Sequence, residues 1–183
     1  MAEQKKKKGR KAYLNDFKKN QEGVYTYEGE HYVWQGTAAS LKKARLFLGL
    51  LGAGMLAASL GAGCAPAPGA QNCAYVLLPY VIGLVCTINL CWKLGRLIAA
   101  GGEVRAYVYK AAAEGLPVRA VLVAVFAGLS MAGELVCAAI NGLSDKVPGF
   151  LLFLLLEGIT MAGGILLFSF GKNMAWKPPK KIN

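Results

Sequence analysis

Two acidic residues, Glu134 and Glu157, lie inside long apolar runs and are the residues best suited to carry chemistry. An ionised carboxylate is costly inside a bilayer, so it normally faces the interior of a helix bundle or a water-filled path. Neither run contains a Lys, Arg or His that would compensate the charge. One hypothesis is therefore a carboxyl pair that shares a proton or binds a cation.

Further polar residues lie near the two carboxyl groups at helical spacing. Ser130 and Asn141 share a helix face with Glu134, and Thr160 shares one with Glu157, so all three could supply extra oxygens. In the alternative hypothesis, each Glu is protonated and hydrogen-bonded across helices, or pairs with a cation of another subunit. We favour this packing role, because membrane carboxylates mark transport pathways often but not always.

The five cysteines divide into two groups. Cys64 and Cys73 lie in one short loop, and a disulfide between them would contribute about 2 to 3 kcal/mol if that loop faces an oxidising compartment. The alternative of two free thiols stays open, since sequence does not show how close their Cβ atoms are. Cys86, Cys91 and Cys137 fall inside apolar runs, where a reduced thiol acts as a small apolar side chain.

Four apolar runs must position these residues. With 55% hydrophobic residues and a mean hydropathy of +0.40, the chain is too apolar for an ordinary soluble domain. Each run approaches the roughly 20 residues that a helix needs to cross a bilayer, and backbone polar groups in lipid favour helices. The predicted spans are 46–63, 75–92, 120–142 and 150–171. We predict an all-α integral membrane protein, a four-transmembrane-helix bundle.

The distribution of basic residues predicts the orientation of the bundle. Of 21 Lys and Arg, all but Lys146 lie in three segments that the spans place on one side, namely 1–45, 93–119 and 172–183. Because cytoplasmic flanks carry the excess of basic residues, both termini are expected in the cytoplasm. The host that fits best is a bacterial cytoplasmic (cell) membrane, since the chain shows no targeting signal. A lipoprotein-type cleavage before Cys64 is disfavoured, because Gly61 stands where Leu is usual.

The spans also predict the depth of the two carboxyl groups. Glu134 lies nine residues before Leu143, and Glu157 lies eight residues after Gly149. At about 1.5 Å per residue, both would lie roughly 12 to 14 Å below the outer boundary. A short loop makes their helices antiparallel neighbours, so we expect the carboxyl groups at matching depth.

The segments outside the membrane carry three further predictions. The arm, 1–45, opens with a basic cluster that would attract anionic lipid headgroups rather than nucleic acid: Lys5, Lys6, Lys7, Lys8, Arg10 and Lys11. Two β-prone runs in the arm, Val24–Tyr27 and His31–Trp34, could pair as a hairpin. In the loop 93–119, residues Glu103–Glu114 have the spacing of a short amphipathic helix, either at the membrane interface or in solvent.

Small residues recur at every fourth position in two spans, a pattern that lets helix backbones approach closely. The first ladder consists of Gly49, Ala53, Ala57 and Gly61, and the second of Ala120, Ala124, Gly128 and Ala132. Packing within one bundle is the expected role of both ladders. Self-association into a homo-oligomer, or assembly into a larger membrane complex, is the alternative.

Several motifs of enzymes are missing from the sequence. The one histidine, His31, lies in the arm, and two cysteines without nearby His or carboxylate make a poor zinc site. The sequence contains no phosphate-binding loop and no dinucleotide-binding fingerprint. We therefore predict no cofactor, no metal and no enzymatic activity. The predicted function is that of a small multi-pass structural, accessory or assembly subunit, and the alternative is a small proton- or cation-coupled transporter or channel-like protein.

Overall fold

The computed structural model describes residues 17–19, 24–27, 30–143, 147–174 and 176–177. Its helices are α1 (Ala38–Cys64), α2 (Pro68–Asn72), α3 (Ala74–Ala100), α4 (Ala106–Tyr109), α5 (Leu116–Asn141) and α6 (Val147–Lys172), with a π-helical turn at Lys110–Glu114. Its strands are β1 (Phe17–Lys19), β2 (Tyr25–Tyr27), β3 (His31–Trp34), β4 (Glu103–Arg105) and β5 (Trp176–Lys177). Within these residues, α1, α3, α5 and α6 are long and apolar enough to cross a membrane, which confirms the all-α four-helix fold.

The four long helices form a closed ring. Helix α1 packs against α3 and α6, and α5 packs against the same two helices. Large side chains such as Met55, Leu90 and Leu167 fill the interior, while Leu78 and Ile140 are among many large apolar residues that point outward. An interior that is packed and an exterior that is apolar are what a bundle surrounded by lipid requires.

The helices extend past the predicted spans wherever the chain offers no earlier stop. Helix α1 begins at Ala38, eight residues before the predicted start, because the Thr37 hydroxyl accepts a hydrogen bond from the Ser40 N–H at 3.2 Å. Helix α3 continues to Ala100, where Gly101 has a φ of 88° that suits glycine. Hydrophobicity marks the part of a helix in the membrane, whereas capping residues set where the helix ends.

The end of the bundle where α1 begins and α6 ends is covered by a small sheet, which we call the terminal cap. Strand β3 is its centre, pairing antiparallel with β4 on one side and β5 on the other. The rings of Trp34 and Trp176 meet edge to face at 5.3 Å, and the rings of Tyr32 and Tyr109 stack at 3.9 Å. Three segments far apart in the sequence therefore meet in one packed layer.

The predicted hairpin between the two β-prone runs of the arm is wrong in its pairing. Strand β2 pairs with β1, with Phe17 opposite Tyr27, and not with β3. Pairing β3 with β4 instead places Val104 in the core with no exposed surface. A two-stranded hairpin alone is marginally stable, so the burial gained in the three-stranded sheet explains this choice.

The predicted amphipathic helix at 103–114 is also corrected. Its first three residues form β4, and helical structure begins only at Ala106. Val108, Ala112 and Ala113 are buried against the bundle core. This segment therefore packs on the ends of the long helices through its apolar side chains.

The opposite end of the bundle is covered by residues 65–73, which we call the loop cap. Ala65, Ala67 and Gly69 are buried. A Cβ atom at Gly149, in the first turn of α6, would lie 2.5 Å from the Pro66 carbonyl oxygen, so only glycine fits under the loop there. The loop cap therefore lies tightly on the helix ends and is not a free connection.

The two ladders of small residues have different surroundings. Ala120 and Ala124 of α5 pack closely against α6. A Cβ atom at Gly164 of α6 would be 2.9 Å from the Ala120 carbonyl oxygen. Gly128 of α5 lies near Met161 of α6, while Ala132 is exposed.

In α1, the ladder does not form the packing face. Ala53 and Ala57 are exposed, and Gly49 and Gly61 are partly buried. The buried face runs through Gly52, Met55, Ser59 and Ala62 instead, because residues that alternate at three- and four-residue spacing lie along one face of a helix. Packing within one bundle therefore accounts for Gly49 and Gly61, which face Ile98 and Leu156, but not for Ala53 and Ala57.

Candidate functional site: two buried carboxyl groups

Glu134 lies in α5 beneath the loop cap and has no exposed surface. Its Oε1 accepts a hydrogen bond from the backbone N–H of Gly69 at 3.1 Å. Gly69 lies in the first turn of α2, whose preceding residue supplies no side-chain cap, so Glu134 satisfies one of the free N–H groups of that turn. A Cβ atom at Gly69 would overlap Glu134 Oε2 and lie 3.0 Å from Cys137 Cβ. The carboxyl group therefore connects the loop cap to the bundle.

Glu157 lies in α6 and is 2% exposed. Its Oε2 accepts a hydrogen bond from the Ser130 hydroxyl of α5 at 3.2 Å, and that hydroxyl also lies 2.8 Å from the Ala127 carbonyl oxygen. Ser130 was predicted to accompany Glu134, but it contacts the other carboxyl group. The contact is a hydrogen bond across two helices, as the packing hypothesis requires.

The two carboxyl groups do not lie at the same level. Glu157 is beside Ser130, which is four residues from Glu134, or about 6 Å along a helix. The register of α6 against α5 agrees with this difference in level, since Gly158 faces Met131. The expected matching level fails because Glu157 lies ten residues after the start of α6 at Val147, whereas Glu134 lies seven residues before the end of α5 at Asn141. Pro148 is compatible with the start at Val147, because proline fits the first turn of a helix.

Within the described residues, each carboxyl group keeps one oxygen without a hydrogen-bond partner. These atoms are Oε2 of Glu134 and Oε1 of Glu157, and both are buried. A buried carboxyl oxygen without a partner carries the cost of its lost hydration, which no hydrogen bond offsets. The two carboxyl groups have separate surroundings. Glu134 lies at the loop cap, and Glu157 lies beside Ser130.

The remaining polar residues of the predicted site bind their own helices. Asn141 Nδ2 donates to the Cys137 carbonyl oxygen at 3.2 Å, and the Thr160 hydroxyl donates to the Leu156 carbonyl oxygen at 3.1 Å. Neither hydrogen bond reaches a carboxyl group. In the described part of the chain, no group of three or more His, Cys, Asp or Glu residues could hold a metal ion.

One contact between cysteines was not predicted from the sequence. In this structure Cys64 and Cys73 are both free, which is one of the two alternatives that the sequence left open, and Cys64 is exposed at the end of α1. Cys73 contacts Cys137, with the two Sγ atoms 3.3 Å apart. The Cys91 thiol, deeper in α3, lies 3.3 Å from the Gly52 carbonyl oxygen.

Sequence reasoning missed Gly69 and Cys137 as parts of this region. Cys137 lies four residues before the end of α5, at the end of the bundle where α3 begins with Cys73 as the preceding residue. Comparing the positions of all cysteines along their helices, rather than only of those in the loop, would have placed Cys73 and Cys137 at the same end of the bundle. No comparable signal marks Gly69, because its role depends on how the loop folds back.

The terminal cap carries an open polar groove of about 510 Å³. Its lining includes His31, Arg96, Glu103, Arg105 and Tyr107.

The basic cluster predicted to bind lipid headgroups, from Lys5 to Lys11, lies outside the described residues, as does Lys146.

Comparison with known proteins gives no relative. No protein-family model matches the chain, and neither a curated protein nor a solved structure matches it significantly.

Proposed function

We propose that this multi-pass membrane protein is a non-enzymatic accessory or assembly subunit. In this proposal the bundle is a stable support in a bacterial cytoplasmic membrane. Both termini face the cytoplasm, and the terminal cap presents a surface to a partner protein or to anionic headgroups. The observation that carries the proposal is the hydrogen bond from Gly69 to Glu134, because it gives a membrane carboxyl group a role in packing.

The second carboxyl group supports the same proposal. Glu157 is buried between α5 and α6 and accepts its hydrogen bond from Ser130. Polar side chains that bond across helices stabilise membrane bundles without any transported substrate.

The terminal cap supports a binding role at the end where α1 begins and α6 ends. Its sheet combines the arm, the central loop and the tail, so a partner that binds it contacts three separate segments at once. The lining of the polar groove includes Arg96 from α3 and Tyr107 from α4, together with Glu103 and Arg105 of β4. A folded and charged surface built from three segments is more than is needed to connect the helices of the bundle.

The test is purification from native membranes in mild detergent, followed by size-exclusion chromatography and mass spectrometry. The proposal predicts a partner that stays bound at fixed stoichiometry through the column. Trp176→Ala, which removes a ring from the terminal cap, should release that partner, whereas Trp92→Ala should not, because Trp92 is exposed on the outside of α3. A protein that elutes alone in all three forms would contradict the proposal.

A second function is favoured by the two unpartnered oxygens, Glu134 Oε2 and Glu157 Oε1. Ionisable groups inside a membrane often mark a path for protons or cations. Under this alternative the chain is a small transporter or channel-like protein. Flux in reconstituted liposomes that depends on Glu157 would favour it over the accessory role.

A further inference from the structure

Cys73 and Cys137 form a pair of thiols across two helices. Their Sγ atoms are 3.3 Å apart, although the residues are separated by 64 positions in the sequence. Cys73 immediately precedes α3, and Cys137 lies in the last two turns of α5. The pairing therefore joins two antiparallel helices at the end that carries the loop cap.

A polar side chain holds the buried sulfur of this pair in place. Asn141 Nδ2 donates a hydrogen bond to the Cys137 Sγ at 3.4 Å. Cys137 is buried, whereas Cys73 is partly exposed. One sulfur of the pair is thus open to a reagent, and the other lies directly behind it.

Cys64 does not compete with Cys137 for this position. It is free and exposed at the end of α1, and Ala65 and Ala67, buried between Cys64 and Cys73, fix the path of the chain. Any movement of the loop cap that brings Cys64 to Cys73 would act on the contacts of that loop with Glu134 and Gly149. The contact with Cys137 needs only the distance between two neighbouring sulfurs to close.

We propose that Cys73 and Cys137 are a redox-active pair that forms an intramolecular disulfide by exchange with a disulfide-containing oxidant. The Cys73 thiolate attacks one sulfur of the oxidant and forms a mixed disulfide, while the other half of the oxidant leaves as a thiolate. The Cys137 thiolate then attacks the Cys73 sulfur, which forms the Cys73–Cys137 bond and releases the second half as a thiolate. The two thiol protons pass to the two released thiolates, so two cysteines are oxidised and one oxidant disulfide is reduced.

The bridge would fix the loop cap over Glu134. Cys137 is three residues from Glu134 on α5, and a Cβ atom at Gly69 would touch both residues. The backbone N–H of Cys73, at the other end of the loop cap, donates a hydrogen bond to the Gly69 carbonyl oxygen at 2.8 Å. A disulfide here joins the last residue of the loop cap directly to the helix on which the cap lies.

The test uses the full-length protein, purified in mild detergent, reduced, freed of reductant and then treated with glutathione disulfide. Acid stops the exchange, the protein is unfolded in detergent, and free thiols are counted with a maleimide that adds mass. Five labels are expected before oxidation, and the bridge should remove two of them without adding the mass of glutathione, which distinguishes it from a mixed disulfide at the exposed Cys64. Peptide mapping should recover one crosslinked species that contains Cys73 and Cys137.

Three variants separate this pair from the alternatives. Cys64→Ala should still lose two labels on oxidation, because its remaining pair is intact. Cys137→Ala should lose labels only to mixed disulfides of glutathione with Cys73 or Cys64, each seen as added mass, and neither this variant nor Cys73→Ala should form a bridge. Five labels on the oxidised wild-type protein, or a crosslinked species that contains Cys64 and Cys73, would overturn the proposal.

Discussion

The backbone N–H of Gly69 donates a hydrogen bond to Glu134 Oε1 at 3.1 Å, which joins the loop between two helices to a carboxyl group inside the bundle. This contact changes the interpretation of an acidic residue in a membrane span. A carboxylate with no cation nearby is usually read as part of a transport path, but here one of its oxygens caps a short helix of the same chain.

Removing the Glu134 side chain should destabilise the protein. Glu134→Ala leaves the Gly69 N–H without its acceptor and opens a cavity beneath the loop cap, so we expect a loss of about 2 to 4 kcal/mol in the free energy of unfolding. Glu134→Gln keeps a carbonyl oxygen and should recover most of the loss. The exposed Glu114 provides the control, because Glu114→Ala should be nearly neutral. Equal unfolding midpoints in detergent for the two alanine variants would contradict the role of Glu134.

The loop cap should reject any side chain at Gly69. A Cβ atom there overlaps Glu134 Oε2, so Gly69→Ala must displace the loop or the carboxyl group, at about 1 to 3 kcal/mol. Gly54→Ala is the matched control, since no atom lies within 4 Å of its added Cβ and alanine is the better helix former. Hydrogen exchange of residues 65–73 should accelerate only in the Gly69 variant. Unchanged exchange there would show that the loop is not closely packed.

The terminal cap should depend on its two tryptophans. Trp176 is 8% exposed and packs edge to face on Trp34, so Trp176→Ala should cost about 3 to 5 kcal/mol and loosen β3 and β4. Trp92 is 68% exposed, and Trp92→Ala should leave the cap intact. Hydrogen exchange of residues 31–34 and 103–105 measures the difference. If both variants exchange alike, the sheet is not held by the contact between the two rings.

The orientation predicted from the basic residues can be tested with a natural cysteine. Cys64 is exposed at the end of the bundle that should face outward. A membrane-impermeant maleimide should therefore label the protein in intact cells, and Cys64→Ala should remove the share of that label that Cys64 takes up, leaving only that of the partly exposed Cys73. Labelling that appears only after the cells are permeabilised would place this end of the bundle in the cytoplasm.

The sequence was sufficient for the bundle but not for its two caps. The spans follow from apolar length, and 20 of 21 basic residues predict which ends belong together. The terminal cap could not be predicted, because β4 and β5 have three and two residues, too few to show an alternating pattern. Their pairing with β3 depends on where the long helices place these segments.

The candidate site was predicted by residue type and was wrong in its geometry. Glu134 and Glu157 are buried, as their cost in lipid requires, but their levels differ, because Glu157 lies ten residues after the start of α6 and Glu134 seven residues before the end of α5. A difference of three residues moves a side chain by about 4.5 Å and rotates it around the helix, which hydropathy does not detect. For the same reason, Ser130 was assigned to the wrong carboxyl group.

Ion flux in reconstituted liposomes tests most directly the central claim that the two carboxyl groups serve packing. The protein would be compared with protein-free liposomes under imposed gradients of protons, Na⁺ and K⁺, together with Glu157→Gln and the exposed control Glu114→Gln. The packing role predicts rates equal to those of protein-free liposomes for all three forms. A wild-type flux that Glu157→Gln abolishes and Glu114→Gln retains would contradict the packing role and establish the transport alternative.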